Sequence, residues 1–123
     1  MAGKKILLID DEVDFIDVLR TRLEANNYEV KVAYDGEEGL EKVQKENPDL
    51  IILDIMMPRI SGFDVCRKLK VDQKFKDIPI IMLTAKFQSS DMDFAKALGA
   101  DAYITKPFEP QVLLNKISEL LKT

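Results

Sequence analysis

The chain has 123 residues, enough for one domain that buries roughly two-thirds of its unfolded surface, and its single cysteine, Cys66, precludes an internal disulfide and suits a reducing, cytoplasmic setting. A net charge of −4 with no basic block argues against autonomous nucleic-acid binding, which needs clustered Lys and Arg to neutralise phosphates. No apolar run reaches membrane-spanning length, Met1-Ala2-Gly3-Lys4-Lys5 and the four apolar residues after it are not a signal peptide, and any histidine-dependent step must use a histidine of another protein, since this chain has none.

Five short runs rich in Ile, Val and Leu alternate with segments of helical period. The first run, 5–9, leads straight into Asp10-Asp11, and Phe15, Ile16, Leu19 and Leu23 follow at helix spacing. The second run is 29–33. Asp35-Gly36 then starts a helix carrying Leu40 and Val43, which Asn47-Pro48 stops. The third run, 50–53, ends at Asp54, and Gly62 opens a helix with Phe63, Cys66 and Leu69 on one face. The fourth run, 79–83, ends at Thr84. The helix after it, about 88–98, presents Phe94, Ala95 and Leu98 and ends at Gly99. The fifth run, 102–105, meets Lys106-Pro107, and the last helix, about 109–122, carries Leu113, Ile117, Leu120 and Leu121. Such alternation predicts right-handed βαβ units, a doubly wound α/β fold with a five-stranded parallel sheet and five helices, in one domain over 1–123. The last helix runs to the terminus, so no output domain is expected within the chain.

If the strands lie side by side, Asp10, Asp11, Asp54 and Lys106 meet at the carboxyl edge, where open α/β sheets place their chemistry. Two carboxylates 4 Å apart repel by about 4 kcal/mol at an effective dielectric near 20, so such a cluster needs a cation or raised pKa values. Oxygen ligands of this type suit a hard divalent ion, Mg²⁺ foremost, with Mn²⁺ as a substitute. Asp54 is the candidate nucleophile, since a carboxylate can form an acyl phosphate. Lys106 would meet a phosphoryl oxygen as a point charge, and the Thr84 hydroxyl would donate to another. Pro107 cannot continue a strand ladder, and a cis bond before it would aim the lysine inward. Taken singly, each feature has a plainer reading: solvated strand-end aspartates, a turn threonine, an exposed lysine.

Asp10-Asp11, Asp54 with Met57-Pro58 and Ser61-Gly62, Thr84-Ala85, and Tyr103 with Lys106-Pro107-Phe108 together resemble the receiver domain of two-component response regulators. The resemblance spans essentially the whole chain. It implies a flavodoxin-like sheet of order 2-1-3-4-5, which sets the first and third strands together. It also implies that Asp54 is the phosphoacceptor, and that Asp11, Asp54 and the Met56 carbonyl ligate Mg²⁺ directly while Asp10 acts through water. Thr84 and Lys106 would read the phosphoryl group, and Tyr103 would be the switching aromatic. The implied phosphodonor is a phosphohistidine on a sensor histidine kinase or histidine phosphotransfer protein. The implied output is a shift in the face formed by the fourth helix, fifth strand and fifth helix, controlling a downstream protein target. Such a chain is a signalling phosphoacceptor that catalyses its own phosphorylation and dephosphorylation, not an enzyme with an external substrate.

The resemblance also implies that Met56 and Lys86, two residues after Asp54 and Thr84, tune how fast the acyl phosphate hydrolyses; bulk at both would hinder the attacking water, so a moderately long-lived phosphoryl state is expected. Receivers that dimerise as transcription factors carry acids where this chain has Ala102 and Val112. That departure leaves Lys116 without its usual partners and favours a stand-alone receiver, monomeric when unphosphorylated. Two other classes share parts of the pattern. An aspartate-nucleophile phosphohydrolase would need Asp-x-Asp-x-Thr after the first strand, where this chain reads Asp10-Asp11-Glu12-Val13-Asp14. A flavin-binding module would need a Ser/Thr/Gly-rich phosphate loop where Asp10-Asp11-Glu12 stands. A receiver that has lost its chemistry and serves as a scaffold would lack some of these residues.

Overall fold

A computed structural model describes residues 3–85 and 88–122. Its elements are β1 (Lys5–Ile9), α1 (Val13–Ala25), β2 (Glu29–Ala33), α2 (Gly36–Glu46), β3 (Leu50–Leu53), α3 (Gly62–Lys70), β4 (Ile80–Thr84), α4 (Ser89–Ala97), β5 (Ala102–Thr105) and α5 (Pro110–Leu121). The strands form one parallel sheet in the order β2-β1-β3-β4-β5, a flavodoxin-like arrangement. Strand β4 starts one residue later than the apolar run, because Pro79 has no N–H to give the ladder; its carbonyl still accepts from Ile51 N at 2.9 Å.

A parallel sheet covered on both faces must be apolar on both, and it is. Leu7, Ile9, Ile51, Leu53, Ile80 and Met82 pack one face against Val43 of α2, Val65, Cys66 and Leu69 of α3, and Ala95 of α4. Ile6, Leu8, Ile52, Ile81 and Leu83 pack the other against Ile16, Leu19 and Leu23 of α1 and Leu113 and Ile117 of α5. One apolar-face expectation fails: Phe94 on α4 is more than half exposed, and its ring meets Phe63 of α3 edge-on at 4.8 Å between centroids. The small Ala95 takes the buried position of that helix instead.

Register fixes which residues share the carboxyl edge. Ile9 lies opposite both Ala33 and Leu53, so Asp10 and Asp54 leave adjacent strands at the same level. The backbone continues the ladder one step further, with Asp10 N donating to Ala33 O and Asp54 N to Ile9 O. Thr84 lies opposite Thr105, and Lys106 N donates to Thr84 O at 2.8 Å, which brings Lys106 to the same edge. The start of α3 presses on this edge from outside. A Cβ at Gly62 would sit 2.1 Å from the Asp54 carbonyl oxygen and 2.7 Å from Ile55 Cα, so only glycine admits that approach. Ser61 and Asp64 close a reciprocal capping box there, which fixes where the β3–α3 loop ends.

Candidate functional site

Asp10 and Asp54 are buried at the sheet edge, and Thr84 is fully buried beside them. The Lys106 ammonium sits between the carboxylates. Its Nζ lies 2.8 Å from Asp10 Oδ2, 2.9 Å from Glu12 Oε1 and 3.9 Å from Asp54 Oδ2. Asp10 Oδ1 accepts from Glu12 N at 2.9 Å, and Asp54 Oδ1 from Met56 N at 3.4 Å. Thr84 is close enough to Asp54 to favour its charged form. The Lys106–Pro107 peptide is cis.

These contacts set the electrostatics. Burial pushes the Asp54 carboxyl above the usual carboxylate range and the Asp10 charge adds to it; Lys106, Thr84 and the Met56 N–H offset only part. Burial likewise raises Asp10, against its hydrogen bonds from Lys106 and Glu12 N. For Lys106, burial opposes the charged form. The hydrogen bonds to Asp10 and Glu12 and the nearby charges outweigh it, so the ammonium holds its proton more tightly than an ordinary lysine. Tyr103, partly buried on β5, has its hydroxyl raised by burial and by the charges of Asp91 and Asp54. The phenol therefore lies within electrostatic reach of both α4 and the acceptor carboxylate.

Oxygen atoms of Asp10, Glu12 and Asp54 lie within 4.8 Å of one another, a cluster compatible with a metal site. Mg–O bonds of about 2.0–2.1 Å put opposite ligands roughly 4.2 Å apart, so this set fits an ion that takes one or two carboxylates directly and the rest through water. Asp11 is exposed and stands outside that trio; it shares an open depression of about 520 Å³ with Met56, Met57 and Ser61. The two residues expected to ligate from the Asp11 and Met56 positions thus line one recess beside Asp54.

Of the residues singled out by sequence, Asp10, Asp54 and Lys106 converge within direct contact, and Thr84 is buried at the end of the strand next to Asp54's. Asp11 and Met56 border that group, Tyr103 stands half-buried on β5 opposite Met82, and Lys86 lies outside the described residues. Glu12 was missed. It is the residue that caps α1, but its side chain caps nothing and reaches Lys106 instead. Its place directly after Asp10-Asp11 was the available signal. Among the described residues, no helix is long and apolar enough to cross a membrane.

Known proteins share both the sequence and the fold. The response regulator receiver domain pattern matches residues 6–118. A probable transcriptional regulator ycf27 of Cyanophora paradoxa is 48% identical over 119 residues, covering 97% of this chain and 48% of its own length. The alkaline phosphatase synthesis transcriptional regulatory protein PhoP of Bacillus subtilis (strain 168) is 44% identical over 120 residues, covering 98% of this chain and 49% of its own length. The chain spans about half the length of the curated relatives it matches. Among solved structures, the chemotaxis protein CheY4 of Vibrio cholerae superposes with a TM-score of 0.91 at 34% identity, covering 97% of this chain and 99% of that one. A putative response regulator from Chloroflexus aurantiacus J-10-fl superposes at 0.93 and 34% identity, covering 98% and 99%.

Proposed function

The chain belongs to the response regulator receiver domain family, and on that premise we propose that Asp54 accepts a phosphoryl group from a phosphohistidine of a sensor histidine kinase or histidine phosphotransfer protein. The observation that carries this reading is the Lys106 ammonium held between the buried Asp10 and Asp54 carboxylates, with Thr84 buried at the end of the next strand. In-line phosphoryl transfer asks a protein mainly for positioning and charge neutralisation, and this site supplies both. An Asp54 oxygen attacks phosphorus, the P–N bond to the donor imidazole breaks, and the phosphoryl group remains on Asp54 as an acyl phosphate. Lys106 has three donors; Asp10 and Glu12 engage two, and a phosphoryl oxygen on Asp54 would come within reach of the ammonium. Thr84 would donate to a second oxygen. A divalent ion, Mg²⁺ or in its place Mn²⁺, would be held by Asp11, Asp54 and the Met56 carbonyl, with Asp10 through water. When bound, it supplies the charge that lets an anionic donor approach this acidic edge.

The acyl phosphate adds about −1.5 to −2 charges at Asp54. That change is expected to pull Thr84 toward the phosphoryl group, release space behind it and draw the Tyr103 ring inward. The bistable element is then the α4-β5-α5 face, which a downstream target reads. The curated relatives are named as transcriptional regulators, which favours gene control as the process this face reports to, whether its target lies on the same chain or another. Lys116 pairs within its own helix with Glu119 at 2.9 Å, and Ala102 and Val112 offer no acid across a partner; both favour a monomer before phosphorylation. A cytoplasmic site of action follows from the proposed donor.

The test is incubation with phosphoramidate and Mg²⁺, followed by intact mass. The wild type should gain one phosphoryl group, Asp54→Asn none, and EDTA should suppress the gain. An unmodified wild type, or a modified Asp54→Asn, would remove the proposal.

A further inference from the structure

The Lys106 ammonium has a fourth neighbour. It sits over the ring of Phe15, 4.1 Å from the centroid. At that distance a cation is held by the negative face of the ring, and the attraction grows when water is kept away. Water is scarce here, since the Lys106 side chain keeps only 13% of its exposure. The ring is itself held in place. Phe108 meets it edge-on at 6.2 Å between centroids and 80° between planes. Phe108 follows Lys106 by two residues, so the pair of rings ties the first turn of α1 to the segment that carries the lysine. Asp10 and Glu12 hold the ammonium through hydrogen bonds, but Glu12 is 63% exposed and its ion pair is weakened by solvent. Asp10 and Phe15 are therefore the two firm contacts.

We infer that Phe15 is a positioning residue: its ring face holds the Lys106 ammonium at the place where the phosphoryl group arrives on Asp54. The inference rests on the phosphoacceptor reading above. Phe15 touches neither the acceptor nor the donor and acts only through Lys106. Helical period assigns Phe15 to the apolar face of α1, where any residue of similar volume would serve. The cation geometry assigns it a role that needs a π face. The two readings separate on substitution. Leu keeps the apolar bulk and removes the ring, whereas Tyr keeps the ring, and the cavity of about 580 Å³ lined by Phe15 and Phe108 leaves space for a hydroxyl.

The test uses the wild type, Phe15→Leu, Phe15→Tyr, Lys106→Met and the double variant Phe15→Leu/Lys106→Met. Ring-current shifts of the Lys106 ε-methylene protons are read by NMR without any phosphodonor. They should stand upfield in the wild type and Phe15→Tyr and return to ordinary values in Phe15→Leu. Phosphorylation by phosphoramidate with Mg²⁺ should slow about three- to tenfold in Phe15→Leu, the range such a contact converts to, and stay within about twofold in Phe15→Tyr. In the Lys106→Met background, Phe15→Leu should add no further loss. An unchanged rate in Phe15→Leu, an equal loss in Phe15→Tyr, or the same loss with Lys106 absent would each overturn the inference while leaving Asp54 as the acceptor. Failure of the wild type to gain a phosphoryl group, with the ring-current shift intact, would instead overturn the phosphoacceptor reading.

Discussion

Replacing Asp54 with asparagine should stabilise the metal-free protein, and the geometry says by how much more than the same change at Asp10. At an effective dielectric near 20, Lys106 attracts Asp54 at 3.9 Å by about 4 kcal/mol and Asp10 at 2.8 Å by about 6 kcal/mol. The repulsion between the two carboxylates, at least about 3.5 kcal/mol since their oxygens lie within 4.8 Å, burdens both equally. Asp54 is thus the less compensated charge by about 1–2 kcal/mol. Asp10 also accepts hydrogen bonds from Lys106 and Glu12 N that an amide would hold less well. Near pH 7.5 at low salt without metal, Asp54→Asn should melt above the wild type, because burial and the Asp10 charge outweigh the offset from Lys106, and about 3–8 °C above Asp10→Asn.

The pH dependence fixes the sign. Burial, then the Asp10 charge, raises the Asp54 carboxyl above its ordinary value of 3.8 in the folded state, so the folded protein binds the proton more tightly than the unfolded chain. Stability therefore falls as pH rises through the window above 3.8, and the advantage of Asp54→Asn should shrink as pH is lowered toward 4. Saturating Mg²⁺ should also close the gap, by stabilising the wild type more than the variant. Thermal melts followed by circular dichroism across pH measure all of this. A lower melting temperature for Asp54→Asn at neutral pH, or a gain undiminished near pH 4, would refute the reasoning.

Lys106→Met should lower stability at neutral pH by about 3–5 kcal/mol, because it leaves buried carboxylates without their cation; denaturant melts showing no loss would contradict the pairing. Gly62→Ala should destabilise by about 1–3 kcal/mol and slow phosphorylation, since the new methyl drives α3 away from the Asp54 carbonyl; a silent substitution would mean that approach is looser. Cys66 is buried and its thiol is pushed up to about 11 by burial, so thiol reagents at pH 8 should label it only on unfolding, and rapid native labelling would argue against the packing of α3. Met56 stands exposed beside the acceptor, and with bulk at this position the phosphoryl group on Asp54 should outlast a few seconds; a half-life of only seconds would remove that expectation.

Strand ends were the most legible part of this chain. Each buried strand is a run of branched apolar residues, and a charge right after such a run must lie at the sheet edge. Asp10, Asp54 and Lys106 follow such runs and lie at that edge, because the parallel register aligns Ile9 with Leu53 and Thr84 with Thr105. Local patterns carried less about side chains near helix starts. Glu12 carries no signal of its own in the sequence beyond following two aspartates, and in space it is a partner to Lys106. Phe15 fits the apolar period of α1, yet it lies at the turn nearest the edge, where its neighbour is an ammonium. Phe94 fits the period of α4 but stands outside the core, because Ala95 alone fits against the sheet there. Periodicity reports which face of a helix is apolar; it does not report what that face meets.

Phosphoryl transfer to Asp54 as proposed requires an acidic recess that takes a divalent ion beside the Asp54 oxygen. Titration with Mn²⁺, followed by paramagnetic broadening of backbone amides, tests that most directly. Saturable broadening centred on Asp10–Glu12, Asp54–Met57 and Lys106, weakened in Asp54→Asn and displaced by Mg²⁺, is the predicted result. Broadening spread over the acidic surface, or none at these residues, would contradict it.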